Sequence, residues 1–249
     1  MKIMDNQYNL SLEGKFNWIK PEIYTSYLQG DEAKLIYDSL EKNIRGEIGY
    51  DLKSKTIIGS TPFLSARVDS LIRPLGLRVA NLKDLSRTEV INMIKGKYYT
   101  DVPVLVVRSH EDSNSKNLFL IKRIIEEVEK REGNIKFPFM IYGFDVKSWP
   151  EDKQGYGIDI IARDDFNVVS DVRLSKKYNG GKFSSVDDLG LPLFERYGVR
   201  TFYSRNDGLS RVCLDGVVLS QGADDGHLAG SYDGGGRVVV VSAKGTHKN

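Results

Sequence analysis

Cysteine and histidine are scarce in this sequence. Cys213 is the only cysteine, so the chain cannot form an intramolecular disulfide and has no cysteine cluster for a structural zinc ion. The three histidines, His110, His227 and His247, are too few to favour a histidine-rich metal centre. Because Cys213 lies in the apolar run SRVCLDGVVL, we expect a buried, unreactive thiol.

The sequence also lacks an excess of either charge and any long apolar run. Its 36 basic and 34 acidic residues leave a net charge of +2, which does not favour nucleic acid or an anionic membrane as a partner. No segment approaches the roughly 18 consecutive apolar residues of a membrane span, and the first residues lack the apolar core of a signal peptide. We therefore expect a cytoplasmic protein without membrane contact.

The clearest pattern in the chain is a strand, helix, strand unit over residues 104–145. Residues 104–108 and 137–144 are short apolar runs rich in β-branched and aromatic side chains. Between them, residues 117–132 place apolar side chains at the three- and four-residue spacing of one helical face. With 40% hydrophobic residues in 249, the chain can bury a substantial core.

The same alternation extends upstream to residue 56. A helix is predicted over 62–72, where Arg73 and Pro74 stop it, and Ser86 with Glu89 has the spacing of a capping box that opens the next helix. Strands alternating with helices favour an α/β fold with a mostly parallel sheet in a three-layer arrangement, and α+β stays open. Further upstream, we predict helices over 17–29 and from Asp31, then a hairpin near Ser54.

The pattern changes after Pro150. Residues 158–163, 200–205, 210–214, 217–220 and 237–243 are strand-like, and Asp-Gly pairs typical of hairpin turns lie beside them. Only a short helix over 186–197 is predicted among them. We therefore divide the chain into an α/β part, 1–150, and an antiparallel, β-rich part, 151–249, which either forms a second domain or extends the same sheet.

A parallel sheet would bring its exit loops together at one edge, where ligands of open α/β folds bind. These loops would be residues 59–61, 81–84, 108–115 and 145–149. Gly59, Ser60 and Thr61 would receive an anionic group at a helix N-terminus, and Arg108 would pair with it. The alternative for the hydroxyl groups is ordinary helix capping. Since neither GxGxxG nor a P-loop motif is present, the usual Rossmann site and a P-loop NTPase are disfavoured.

Carboxylates follow two of the predicted strands. Glu111 and Asp112, with Asp145, could bind Mg²⁺, and Asp112 or Asp145 could take part in catalysis. The alternative is a solvated loop whose polar side chains cap the next helix. Asp145-Val146-Lys147 resembles the second half of the PD-(D/E)xK nuclease motif, in which carboxylates bind a metal and the lysine helps to position water. The resemblance is limited to these residues, because no Pro-Asp precedes them.

Three functional hypotheses follow. The first is a protein that binds a small phosphate-bearing or nucleotide-like ligand at the carboxyl edge of the sheet. The second is a metal-dependent nuclease that uses Asp145 and Lys147. The third is a non-catalytic interaction protein with a binding face on its β-rich part.

Overall fold

The computed structural model describes residues 25–231 and 235–243. These ranges contain five α-helices: α1 (Gly30–Ser39), α2 (Lys42–Arg45), α3 (Pro62–Ile72), α4 (Thr88–Ile94) and α5 (Ser115–Glu132). The strands are β1 (Thr25–Tyr27), β2 (Gly49–Asp51), β3 (Thr56–Ile58), β4 (Leu77–Val79), β5 (Tyr99–Val107), β6 (Phe139–Ser148), β7 (Ile158–Ser170), β8 (Gly181–Val186), β9 (Pro192–Phe194), β10 (Arg200–Ser204), β11 (Leu209–Asp215), β12 (Ser220–Ala223) and β13 (Val239–Ser242). None of the helices in these ranges is long and apolar enough to cross a bilayer.

The strands form three sheets. The largest has eight strands in the order β7-β6-β5-β11-β12-β10-β8-β9, a second has the order β1-β13-β4, and β2 pairs with β3. A mixed α/β fold is therefore confirmed. The mostly parallel, three-layer arrangement is not confirmed, because the N-terminal strands pair antiparallel and the parallel pair in the large sheet is β10 with β12.

The connection through α5 explains why the parallel prediction is wrong. Val107, at the end of β5, pairs with Phe139, at the start of β6. After α5 the chain therefore starts β6 beside the end of β5, and the two strands run antiparallel. A parallel crossover would have returned it to the beginning of β5. In addition, β3 and β4 belong to the smaller sheets, so the alternating strands do not share one sheet.

Strand β5 is buried on both faces, which is why its sequence resembles a parallel strand. Leu105 faces one core, which contains the apolar faces of α3 and α5. Val104 faces a second core, which contains residues of α4 and of the β1-β13-β4 sheet. Antiparallel strands covered on both sides therefore have the same continuous apolar sequence as a parallel strand.

Most of the local predictions are confirmed. Helix α3 begins at Pro62, α5 covers the predicted range, and β2 and β3 form the predicted hairpin. The capping box is wrong: Ser86 lies in a short 3-10 turn, and the residue that precedes α4, Arg87, makes no side-chain capping bond. The hydroxyl group of Ser86 instead accepts a hydrogen bond from Arg200 at 3.1 Å.

The two ends of the chain differ more from the predictions. Most of the helix predicted over 17–29 lies outside the described residues, and its last part is strand β1, so the prediction is wrong there. The short helix predicted over 186–197 is also wrong, because β9 lies in this segment. Strands from both sides of Pro150 share the eight-stranded sheet, while the division into two parts and the cytoplasmic location stay predictions.

Candidate functional site

The predicted anion-binding residues 59–61 have structural roles. The Thr61 hydroxyl oxygen accepts a hydrogen bond from the Leu64 amide at 3.0 Å, so Thr61 caps α3. Ser60 is fully buried, and its hydroxyl oxygen accepts from the Asp101 amide at 2.9 Å. Gly59 has a φ of +106°, and a Cβ there would lie 2.7 Å from Ile48 Cδ1. The loop is therefore closed by protein contacts.

Arg108 does not join this loop. It follows the end of β5, whereas the Asp101 amide that binds Ser60 lies near its beginning, about 23 Å away at about 3.3 Å per residue. The Arg108 guanidinium is buried and donates to the Leu174 carbonyl at 2.7 Å and the Ser210 hydroxyl at 2.7 Å. Burial lowers the pKa of Arg108 to about 9.

Asp112 connects the loop that precedes α5 to strand β11 of the large sheet through hydrogen bonds. Its carboxylate accepts hydrogen bonds from the Leu209 amide at 2.8 Å, the Asn114 amide at 2.9 Å and the Asn117 side chain at 3.0 Å. Asn114, next in the loop, caps α5 through the Lys116 amide. Glu111, which directly precedes Asp112, is exposed. Asn114 therefore caps the helix, and metal binding by Glu111 or Asp112 stays a prediction.

Asp145 and Lys147 are each paired with an oppositely charged side chain. Arg67 Nη1 lies 2.7 Å from the Asp145 carboxylate, and Lys147 lies 3.5 Å from Asp159. Burial raises the pKa of Asp145, although the charge of Arg67 opposes this shift. Within residues 25–231 and 235–243, no group of three histidine, cysteine, aspartate or glutamate residues could hold a metal ion. Metal binding by Asp145 stays a prediction.

A cleft of about 230 Å³ lies between β4 of the small sheet and the β5-β6 face of the large sheet. Its lining divides into three sets. The floor is Val104, Met140 and Tyr142; the apolar walls include Val79, Leu82 and Leu189; the charged lining is Asp69, Arg73, Arg78, Lys83, Arg163, Asp165 and Asp188. An apolar concavity with a few polar groups is the usual form of a small-ligand site.

A closed network of charges forms one side of this cleft. Asp69 is buried and accepts from the Val79 amide at 2.8 Å, while Arg73 and Arg163 lie 2.7 and 2.9 Å from its other oxygen. The same two arginines each lie 2.9 Å from Asp165. Burial alone would raise the pKa of Asp165, but hydrogen bonds and charge from Arg163 hold it below its usual range. Both cations are therefore compensated by protein carboxylates.

On the opposite side of the cleft, Arg78 is held firmly by a protein carboxylate, whereas Lys83 is held loosely. Arg78 makes a two-pronged ion pair with Asp84, whose carboxylate also accepts from the Asn81 amide at 2.8 Å. Lys83 lies 2.7 Å from Asp188, but their side chains are 50% and 99% exposed. Exposed pairs of this kind contribute about 0–1 kcal/mol, so the Lys83 ammonium group can easily exchange this partner for a ligand.

A second cavity, of about 430 Å³, lies beside Tyr99, Arg211, Cys213 and Asp225. Arg211 donates to protein oxygens from all three nitrogens, including Nε to Asp101 at 2.5 Å and Nη1 to the Gly230 carbonyl at 2.8 Å. Burial raises the pKa of the Cys213 thiol, so it stays protonated at neutral pH. Arg211 and the Cys213 thiol are therefore less available to a ligand in this cavity than Lys83 is in the cleft.

Sequence reasoning missed the cleft. Its charged residues come from α3 and the turn that follows it, from β4 and β7, and from two loops, and no short motif joins them. The useful signal was weak: the segment 81–84 was expected to lie at a ligand-binding edge, and it contributes Lys83. Comparison of the chain with protein-family models, with curated proteins and with solved structures found no match.

Proposed function

We propose that this protein binds a small organic anion in the cleft between β4 and the β5-β6 face. The observation that carries the proposal is an apolar floor beside Lys83, a cation whose ion-pair partner in the described structure is an exposed carboxylate. The apolar part of the ligand packs on Val104 and Met140. Its carboxylate or phosphate group binds the Lys83 ammonium group.

The dimensions of the cleft restrict the ligand. A volume of about 230 Å³ is below the roughly 300–1,000 Å³ of pockets that enclose drug-sized molecules. A single ring or short chain with one anionic group suits this volume, whereas a whole nucleotide exceeds it. The proposal therefore keeps the anionic ligand of the first hypothesis but replaces both its position and its size.

The charges of the cleft support Lys83 over the arginines as the anion receptor. Arg73 and Arg163 share Asp69, which is almost completely buried, and moving either one would leave that carboxylate short of a partner. Arg78 is held by two contacts with Asp84. Among these four cations, only Lys83 lacks a buried carboxylate among its ion-pair partners in the described residues, so its transfer to a ligand is the least unfavourable for the fold.

A thermal-shift titration tests the proposal with four probes: phenyl phosphate, benzoate, inorganic phosphate and benzamide. We expect the two aromatic anions to raise the melting temperature, because only they offer both a ring and a charge. At ten times its dissociation constant a ligand adds about 1.4 kcal/mol, or roughly 3–6 °C for a chain of this size. Equal effects of phosphate and phenyl phosphate would refute the role of the apolar floor.

Matched variants locate the binding. Lys83→Gln should abolish the response to aromatic anions, whereas Lys182→Gln, on an exposed part of β8, should retain it. Leu189→Trp should block the cleft, whereas Leu193→Trp places the same side chain at another partly exposed leucine that does not line it. A response that survives both cleft variants would place the ligand elsewhere.

The nuclease hypothesis has less support. A metal ion at Asp145 would have to compete with the Arg67 guanidinium, which lies 2.7 Å from the carboxylate. The neighbouring Asp159 already pairs with both Arg123 and Lys147. Cleavage of DNA or RNA that requires Mg²⁺ and disappears in Lys147→Ala would restore this hypothesis.

A further inference from the structure

Arg200 is a buried cation with little compensation from the protein. Only 4% of the residue is exposed, and its Nε and Nη2 atoms are buried without a hydrogen-bond partner. Nη1 donates to the Ser86 hydroxyl at 3.1 Å, and the guanidinium lies 4.7 Å from the centre of the Phe183 ring. No residue in the described ranges forms an ion pair with it.

These protein contacts alone leave the Arg200 guanidinium in an unfavourable environment. Removing a charge from water without a counter-charge is strongly unfavourable, and each unsatisfied buried donor adds to this cost. Burial lowers the pKa of Arg200 to about 10, so the side chain nevertheless keeps its positive charge at neutral pH. A bound anion would supply both the missing charge and the missing acceptor.

Arg108 shows how this protein satisfies a buried arginine by itself. That side chain is also almost enclosed, yet each of its three nitrogens donates to a protein oxygen, including Nη2 to the Ala223 carbonyl at 2.5 Å. Arg200 differs because two of its nitrogens lack such an oxygen. The difference lies in the local contacts rather than in burial.

A second unsatisfied side chain lies on the same face of the large sheet. Gln221 on β12 pairs with Phe202 on β10, so their side chains lie on the same face of the sheet. Arg200 precedes Phe202 by two residues on β10 and therefore shares this face. Gln221 is completely buried, and neither its amide nitrogen nor its amide oxygen has a hydrogen-bond partner. This face therefore has more polar groups than its own contacts satisfy.

We infer that Arg200 holds a small monovalent anion of the halide class, which accepts hydrogen bonds from Nε and Nη2. The near-complete enclosure of the residue excludes a bulky ligand. The inferred anion occupies a structural site, separate from the proposed organic-anion cleft, whose lining does not include Arg200.

A crystal structure of the wild-type protein soaked in sodium bromide tests this inference directly. We expect an anomalous bromide peak within hydrogen-bond distance of Nε and Nη2 of Arg200. An ordered water without anomalous signal, or no density at that position, would overturn the inference. This measurement does not require any variant to fold.

The melting temperature gives an independent readout. It should rise saturably when sodium chloride replaces sodium gluconate at constant ionic strength, by about 3–6 °C at ten times the dissociation constant. Arg200→Met should lose this response, whereas Arg108→Met removes a buried arginine with its own protein acceptors and should retain it. Equal melting temperatures of the wild type in the two salts, or a response that persists in Arg200→Met, would contradict a halide site at Arg200.

Discussion

The ion pair between Asp101 and Arg211 should make a large contribution to stability. Both side chains are almost completely buried, at 0% and 1% exposure, and Nε of the arginine lies 2.5 Å from the carboxylate. Arg211 also donates to the Ser60 carbonyl at 2.7 Å and the Gly230 carbonyl at 2.8 Å. These contacts hold the guanidinium in place, so it cannot move to a new partner when the carboxylate is removed.

Asp101→Asn therefore leaves the buried Arg211 with only the more distant carboxylate of Asp225, 3.7 Å from Nη1, as an ion-pair partner in the described residues. Removing one partner of a buried pair typically costs about 3–5 kcal/mol. Because asparagine keeps one acceptor oxygen, we expect the lower part of that range, about 3–4 kcal/mol. At about 2–4 °C per kcal/mol for a chain of this size, the melting temperature should fall by about 6–16 °C.

Urea unfolding followed by circular dichroism measures this loss of free energy. Asp38→Asn is the matched control, because Asp38 pairs with Lys34 at the surface, where the two side chains are 53% and 42% exposed. The control should change the free energy of unfolding by about 0–1 kcal/mol. A loss below about 1 kcal/mol in Asp101→Asn, or a loss equal to that of the control, would refute the reasoning.

Three further predictions concern a cap, a turn and the response to acid. Thr61→Ala removes the α3 cap and should cost about 0.5–2 kcal/mol in urea unfolding, whereas an unchanged midpoint would contradict the capping role. Gly143→Ala should lower stability by more than about 1 kcal/mol, measured by thermal unfolding, because φ is +73° and a Cβ would overlap the Asp165 carbonyl; a neutral effect would contradict this contact. The hydrogen bond from Arg173 lowers the pKa of Asp171 in the folded protein. The Asp171 carboxylate therefore stabilises the fold fully at pH values above its unfolded pKa of about 3.9. This stabilisation is lost as the pH falls through the lower pKa of the folded state. The difference in melting temperature between wild type and Asp171→Asn should therefore be full at about pH 6 and shrink in acid, and a difference independent of pH would contradict the shift.

The sequence predicted local structure well because local structure depends on nearby residues. The apolar face of α5 and the hairpin of β2 and β3 are both encoded within short segments. Strand pairing is not local: β5 lies between β6 and β11, and β11 comes from far along the chain. The apolar run of β5 reports burial on two faces, which a parallel sheet and two antiparallel layers produce equally.

The candidate site was harder to predict for the same reason. Thr61 and Asp112 occur at helix-start and loop positions, where capping and ligand binding require the same polar side chains. Lys83 gains its significance only when β4 and its following loop face the β5-β6 floor, and Arg163 reaches the cleft from β7. These contacts depend on the arrangement of the two sheets, which no single segment specifies.

The most direct test of the proposed function is a crystal structure of the wild-type protein soaked in phenyl phosphate. We expect density for the ring on Val104 and Met140, with the phosphate group within hydrogen-bond distance of the Lys83 ammonium group. An empty cleft at a saturating concentration, or density for the ligand only at another surface, would contradict the proposal that this cleft binds a small organic anion.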